Sequence, residues 1–232
     1  YIFTRSGTTW SEQQKIQASN KGSNDYFGWS VSISGDGNTA IVGAYREDTG
    51  ATDAGAAYIF TRSGSTWSEQ QKIQASDKDS GDNFGYSVSI SSDGNTAIVG
   101  AQYEDTGVSR AGAAYIFTRS GSTWTEQQKI QASDKDGGDY FGYSVSISDD
   151  GNTAIVGAFL EDTGRTDAGA AYIFTRSGST WTEQQKITSS DIQTDDYFGW
   201  SVSISSDGNT AIVGARYEDT GGSDAGAAYI FG

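Results

Sequence analysis

The 232 residues include no cysteine and no histidine. Their absence removes disulfides, thiolate and imidazole metal sites, Ser–His and Cys–His nucleophile pairs, and histidine proton transfer. It does not fix the compartment, because large extracellular repeat proteins also do without cysteine. Methionine is missing too, which reads as a mature product or a window of a longer chain. No apolar run approaches the roughly 18 residues of a membrane span, and no segment reads as a signal or transit peptide. Positive charge is scarce: 15 Lys and Arg stand against 30 Asp and Glu, a formal net charge of −15. Such a surface repels nucleic-acid phosphates and anionic lipid. The expected partners therefore include no nucleic acid and no membrane insertion.

What is abundant points to an all-β chain. There are 31 glycines, and aromatic residues make up 12 % of the sequence. The string Tyr-Ile-Phe begins at Tyr1, Tyr58, Tyr115, Tyr172 and Tyr229, a period of 57 each time. The chain thus reads as one repeat domain with units 1–57, 58–114, 115–171 and 172–228, and a partial fifth unit at 229–232. A repeat of this kind cannot bury its hydrophobic faces alone and must stack against its neighbours.

Period-2 alternation and turn residues predict four strands per unit, at 28–34, 39–44, 56–62 and 67–73 in the first complete one. Asp36-Gly37-Asn38 and Ser63-Gly64-Ser65 are tight turns. The other two links, 45–55 and 74–84, are longer. Small residues opposite large ones suit face-to-face sheets, so propeller-type blades of four antiparallel strands are expected.

The residues that carry a family likeness are Asp139-Tyr140-Phe141-Gly142-Tyr143-Ser144-Val145, then Ile155-Val156-Gly157-Ala158, then Ala168 to Phe174 and Trp181. This pattern resembles FG-GAP repeats, the blades of integrin-α-type β-propellers, and most of all their bacterial subgroup. The resemblance spans every unit. It implies a propeller fold and a role in adhesion, carbohydrate binding or a larger secreted protein, hence an extracellular or cell-surface location. Many such blades carry a calcium loop between strands one and two. Here that link is only Ser205-Ser206-Asp207-Gly208-Asn209, too poor in oxygens for six- to eight-fold coordination. Residues 177–181 also resemble the end of the Asp-box turn of sialidases, but Arg176 stands at the Asp position. That segment is expected to be a structural turn that docks a tryptophan.

Of the 57 positions, 17 differ among the copies, and 14 of those fall at 17–29 or 45–53 and their equivalents, in the two longer links or directly beside them. Successive strands run antiparallel, so both links emerge at one end of the blade. Tyr45 and Arg46, Gln102 and Tyr103, Phe159 and Leu160, and Arg216 and Tyr217 occupy one such pair of positions. Aromatic and arginine side chains are common anchors of binding surfaces, which makes these eight the candidate sites for a protein or carbohydrate ligand. Free drift of loops without a packing role is the other explanation. The same end carries Asp77, Asp79 and Asp82 in one copy and Asp134, Asp136 and Asp139 in the next. Acidic side chains alternating around a glycine turn suit calcium, or else they cap turns by accepting backbone N–H bonds. An invariant Glu-Asp-Thr-Gly, such as Glu47 to Gly50, is read as a turn cap.

Fourfold repetition of the Glu-Asp-Thr-Gly acids and of the Asp before each Phe-Gly argues against an enzyme, since a catalytic site is normally unique. The expectation is a non-catalytic binding protein. The alternative is a structural unit that self-associates through the half-blades at its N- and C-terminal ends into a ring or fibre.

Overall fold

In the computed structural model, which describes residues 1–162 and 164–232, the chain is all β, with no helix among the described residues. It begins with a hairpin, β1 (Ile2–Ser6) and β2 (Thr9–Gln14). The first complete blade holds β3 (Val31–Ile33), β4 (Thr39–Ala44), β5 (Ala56–Ser63) and β6 (Thr66–Ile73). The second holds β7 (Ser87–Ile90), β8 (Thr96–Ala101), β9 (Ala113–Ser120) and β10 (Thr123–Ile130). The third holds β11 (Ser144–Ile147), β12 (Thr153–Ala158), β13 (Ala170–Ser177) and β14 (Thr180–Ile187). A three-stranded sheet of β15 (Phe198–Ile204), β16 (Ala211–Ala215) and β17 (Ala227–Phe231) ends the chain. Each sheet is an antiparallel meander in chain order.

Alternation puts every second residue of a central strand toward one neighbouring blade. In β8, Ala97, Val99 and Ala101 pack with Ile41 and Ile59 of the first blade, while Ile98 faces Val145 and Ile147 of the third. In β9, Tyr115 and Phe117 face one way and Ile116 the other. These central strands are buried on both faces, which explains their run of apolar and small residues.

Three kinds of contact hold blade to blade. At the inner edge the serines of strand one act as acceptors: Ser30 and Ser32 Oγ receive the backbone N–H of Val88 and Ile90 at 3.1 and 3.2 Å. Ser144 and Ser146 do the same for Val202 and Ile204 at 3.0 and 3.2 Å. At the outer edge, Gln71 brackets the backbone of Trp124, accepting its N–H and donating to its carbonyl, both at 2.8 Å. The indole N–H of the same Trp124 donates to Gln70 at 3.2 Å. Trp67 and Trp181 are held alike by Gln13–Gln14 and Gln127–Gln128. Trp181 is buried, so the Ser-Gly-Ser-Thr-Trp segment is the docking turn expected of it.

The third contact is backbone on backbone. A Cβ added to Gly43, Gly100 or Gly157 would overlap the carbonyl oxygen of Gly85, Gly142 or Gly199 on the next blade. Those latter glycines sit at φ near +90°, a region that side chains disfavour. Beside them Phe84, Phe141 and Phe198 are fully buried and form parallel bridges with Gly55, Gly112 and Gly169.

The array is open among the described residues. β1 pairs only with β2 and β17 only with β16, so Ile2 and Ile230 lie in separate sheets.

Gly100→Ala is expected to destabilise the protein by about 2 kcal/mol or more through overpacking. Gly137→Ala, whose Cβ would meet nothing closer than 3.4 Å, should stay within about 0.5 kcal/mol. Urea midpoints of the two variants check this. Equal midpoints would mean that the joints can widen.

Candidate functional site

Both longer links do emerge at one end, where they bond to each other. Tyr103 N–H donates to Asp82 O at 3.3 Å and Tyr217 N–H to Asp196 O at 3.1 Å, within a unit. Gly81 N–H donates to Thr52 O at 2.9 Å and Asn83 N–H to Asp53 O at 3.2 Å, between units. The tight turns at the opposite end are organised by Asp36, Asp93, Asp150 and Asp207. Each accepts from a serine hydroxyl at 2.6 Å and from the backbone and side chain of the following Asn. These bonds favour the ionised carboxylate and hold Asp36, Asp150 and Asp207 below the usual range.

Under the variable loops runs a row of buried charge. Glu47, Glu104 and Glu161 are buried, and Lys72, Lys129 and Lys186 each meet one of them at 2.7 Å. Two of these glutamates also cap the Glu-Asp-Thr-Gly turn: Glu47 accepts Thr49 N–H at 3.1 Å and Glu104 accepts Thr106 N–H at 2.7 Å. Asp48 accepts Asp53 N–H at 2.8 Å. The motif is therefore the turn cap expected of it, with an ion pair added that links it to strand four. Burial pushes the Glu47 pKa up, but its bonds to Lys72 and Thr49 outweigh burial and leave it below the usual value.

The six aspartates considered for calcium are separately engaged. Asp77 accepts from Tyr115 at 2.8 Å and pairs with Lys129 at 2.7 Å. Asp134 accepts from Tyr172 at 2.9 Å and pairs with Lys186 at 2.8 Å. Asp82 and Asp139 accept the N–H of Asp79 and Asp136 at 2.6 and 2.7 Å. Asp79 and Asp136 in turn accept from Ser80 and Gly137, both at 2.7 Å. Among the described residues no three acidic side chains are placed to hold a metal ion. As placed, this donor set does not fit calcium: an ammonium already occupies one end of each loop, and turn amides use the other.

The eight variable candidates divide by position. The first of each pair is enclosed in the first two copies, with Tyr45 and Gln102 buried, whereas Phe159 is half-buried and Arg216 exposed. The second position faces outward in the first two copies, where Arg46 and Tyr103 are exposed; Leu160 and Tyr217 are half-buried, so in the fourth copy the order is reversed. Sequence reasoning passed over the residues that bind these together. Trp29, Tyr86, Tyr143 and Trp200 form a continuous line of rings with centroids 5.5, 5.1 and 4.6 Å apart, one ring per unit. Tyr45 and Phe159 pack into it at 4.9 and 4.4 Å. The available signal was that position 29 and its equivalents alternate only between Trp and Tyr among otherwise drifting loops.

Stacked meander sheets joined at their inner strands, with short turns at one end and variable links at the other, define a repeat protein of propeller-type blades. The sequence profile described as FG-GAP repeat matches residues 10–60, 67–117, 124–174 and 181–231. The chain belongs to this family. Among solved structures, Saccharomyces cerevisiae Sqt1 superposes with a TM-score of 0.49 at 11 % identity. That match covers 83 % of this chain and 43 % of Sqt1, so the chain spans less than half the length of that protein. No curated protein sequence matches it.

Burial, aided by the charges of Glu104 and Glu161, pushes Asp82 and Asp139 up to about 6. Their unfolded value is near 4, so the native state holds these protons more tightly. Their contribution to stability therefore rises as the pH falls through 6 and is complete below about 4. The carboxylates held below the usual range act oppositely, and their contribution is lost below about 4. The melting temperature should peak between about pH 4 and 5. Asp82→Asn with Asp139→Asn should raise it at pH 7 and flatten the rise toward pH 5. An unchanged slope in the double variant would place the effect in overall charge instead.

Proposed function

We propose that this chain is a non-catalytic recognition module, displayed outside the cell or on its surface, whose variable-loop end meets a protein or carbohydrate ligand. The observation that carries this reading is the division between the two ends. The scaffold and the tight turns are almost invariant, while 14 of 17 differences are gathered on loops that share one surface. Those loops present Arg46, Tyr103, Arg110 and Arg216 to solvent on a protein that is otherwise strongly acidic. Side chains of that type, presented on a rigid frame, are what binding surfaces use. The non-catalytic reading is supported by the buried glutamates of the three complete blades, each paired with a lysine, with Glu47 and Glu104 held also by turn amides. The described residues contain no helix long and apolar enough to cross a membrane.

Binding to a glycan panel and to a surface coated with extracellular matrix tests this. Replacing Arg46, Tyr103 and Arg216 by Ala should weaken it, with stability altered by only about 0.5 kcal/mol per exposed site. Ser122→Lys and Ser179→Lys, in the tight turns, should leave it intact. Equal losses from both sets contradict the assignment of the face.

A second reading, self-association, has its own observation. In the joints Ile41 and Ile59 lie fully buried against Val88 and Ile90, which are 7 % and 6 % exposed. The equivalents at one end, Val31 and Ile33, are 68 % and 52 % exposed, and those at the other, Ile212 and Ile230, are 45 % and 73 % exposed. The chain carries both halves of a joint unfilled, each complementary to the other. A further blade of the same kind fits there, whether from a longer polypeptide or from a second copy. Light scattering should show mass growing with concentration, and Ile230→Lys should abolish that growth. A chain that stays monomeric at every concentration rules out joining through these faces.

A further inference from the structure

The grooves between successive blades at the variable end are built from equivalent positions, yet they are not chemically equivalent. Between the first and second complete blades lies a cleft of about 390 Å³, lined by Arg46, Asp53, Asn83, Tyr103, Asp105 and Arg110. This groove sets two Arg against two Asp. The equivalents in the next groove supply one Arg and two Asp, and those in the third no Arg and three Asp. The first groove is thus locally neutral on a chain of net charge −15.

Three departures from the repeat converge there. Position 83 is Asn where the other copies have Tyr26, Tyr140 and Tyr197. Tyr26, Tyr140 and Tyr197 pack on the variable ring of the other long link of their unit, Tyr45, Phe159 and Tyr217, at 5.4, 5.5 and 4.9 Å. Asn83 removes that ring and leaves room. Position 110 is Arg where the others have Asp53, Asp167 and Asp224. All four have φ between 51° and 54°. This left-handed region suits Asp and disfavours a long side chain, so Arg110 opposes the local conformational preference. Position 46 is Arg where the others have Tyr103, Leu160 and Tyr217.

Neither guanidinium is spent elsewhere. Arg46 lies over Tyr26 and Tyr45 at 5.5 Å and Arg110 over Tyr103 at 5.6 Å. Neither takes part in an ion pair among the described residues. The rings hold the side chains without using their hydrogen-bond donors.

We infer that this cleft is a binding site for a carboxylated sugar, a uronic acid residue of a glycan. The inference rests on the recognition reading above and deepens it. Guanidinium groups pair with a carboxylate through charge-assisted, directional bonds. The carboxylates of Asp53 and Asp105 accept hydrogen bonds only, and the hydroxyls of a sugar supply donors. A phosphate dianion has no donors to offer and meets two negative charges. The volume falls in the range of small-molecule sites. The chemistry occurs once in the chain, so one ligand is expected, not one per blade.

Equilibrium dialysis of the full chain against labelled glucuronate tests this, with glucose and acetate as competitors. Saturable binding of one molecule per chain is expected, with neither competitor displacing it at equal concentration. Arg110→Asp and Arg46→Leu each install a residue that another copy carries at that place, so neither should lower the melting temperature. Each should weaken binding about tenfold or more, as for loss of a charge-assisted bond. Unchanged affinity in Arg110→Asp, displacement by glucose or acetate, or three or more molecules per chain overturns the inference. So does an absence of binding. If the chain still binds the glycan panel or the matrix-coated surface through its variable loops, only the cleft assignment falls. If that binding is missing as well, the wider reading falls with it.

Discussion

Each joint between blades is as close as two backbones can come, because no side chain stands between Gly100 and the carbonyl of Gly142. That spacing governs the rest. It is short enough for a serine hydroxyl on one inner strand to reach a backbone N–H on the next, and for one glutamine to bracket both polar groups of a tryptophan. It brings Phe84 fully inside, edge-on to Tyr115 and Phe117 at 5.5 and 5.8 Å. It also sets the loops of adjacent units side by side, so that a groove between them has residues of both copies in its walls. A wider joint would lose the serine and glutamine bonds together and would flood the phenylalanines.

The buried charge follows from the same geometry. The lysine of strand four runs along the tyrosine of strand three, as Lys129 does over Tyr115 at 5.7 Å. Lys129 and Lys186 end between a glutamate of one loop and an aspartate of the other, whereas Lys72, with Asn20 in place of that aspartate, meets the glutamate alone. A buried charge is tolerable when it is paired and its remaining valences are hydrogen-bonded, and at Lys129 and Lys186 one ammonium satisfies two carboxylates. The acidic excess of the sequence is therefore not all surface: part of it is structural and already matched.

The strands were legible because their signal is local. The span 39–44 expected from TAIVGA is the strand observed, and β5 and β6 extend by one residue at the turn between them. Strand one is shorter than its alternation suggests in the three complete blades. There Gly85 and Gly142 lie just before the strand and make the close approach, while Gly28 meets nothing. What was not legible depends on partners far along the chain. Gln14 and Trp67 are 53 residues apart, and Asp77 and Lys129 are 52 apart. Read locally, Gln-Gln is an exposed edge and Asp-Lys-Asp an oxygen-rich loop. Only the joint and the meander show that the first is a clamp and the second an ion pair. The variable pairs were visible as variation, but which member faces outward depends on the ring line beneath them, whose members lie in different repeats.

Because the serine, glutamine and glycine contacts recur between complete blades, one blade is interchangeable with another as far as its neighbours are concerned. Removing or adding 57 residues in phase leaves every surviving face opposite the face it already fits. Duplication and loss of whole units therefore carry no packing penalty, whereas a shift of a single residue would turn every strand inside out. Such an architecture can change its reach by unequal recombination between its own copies while it changes its specificity by point substitution in the loops. Length and recognition can then evolve as separate traits of one gene.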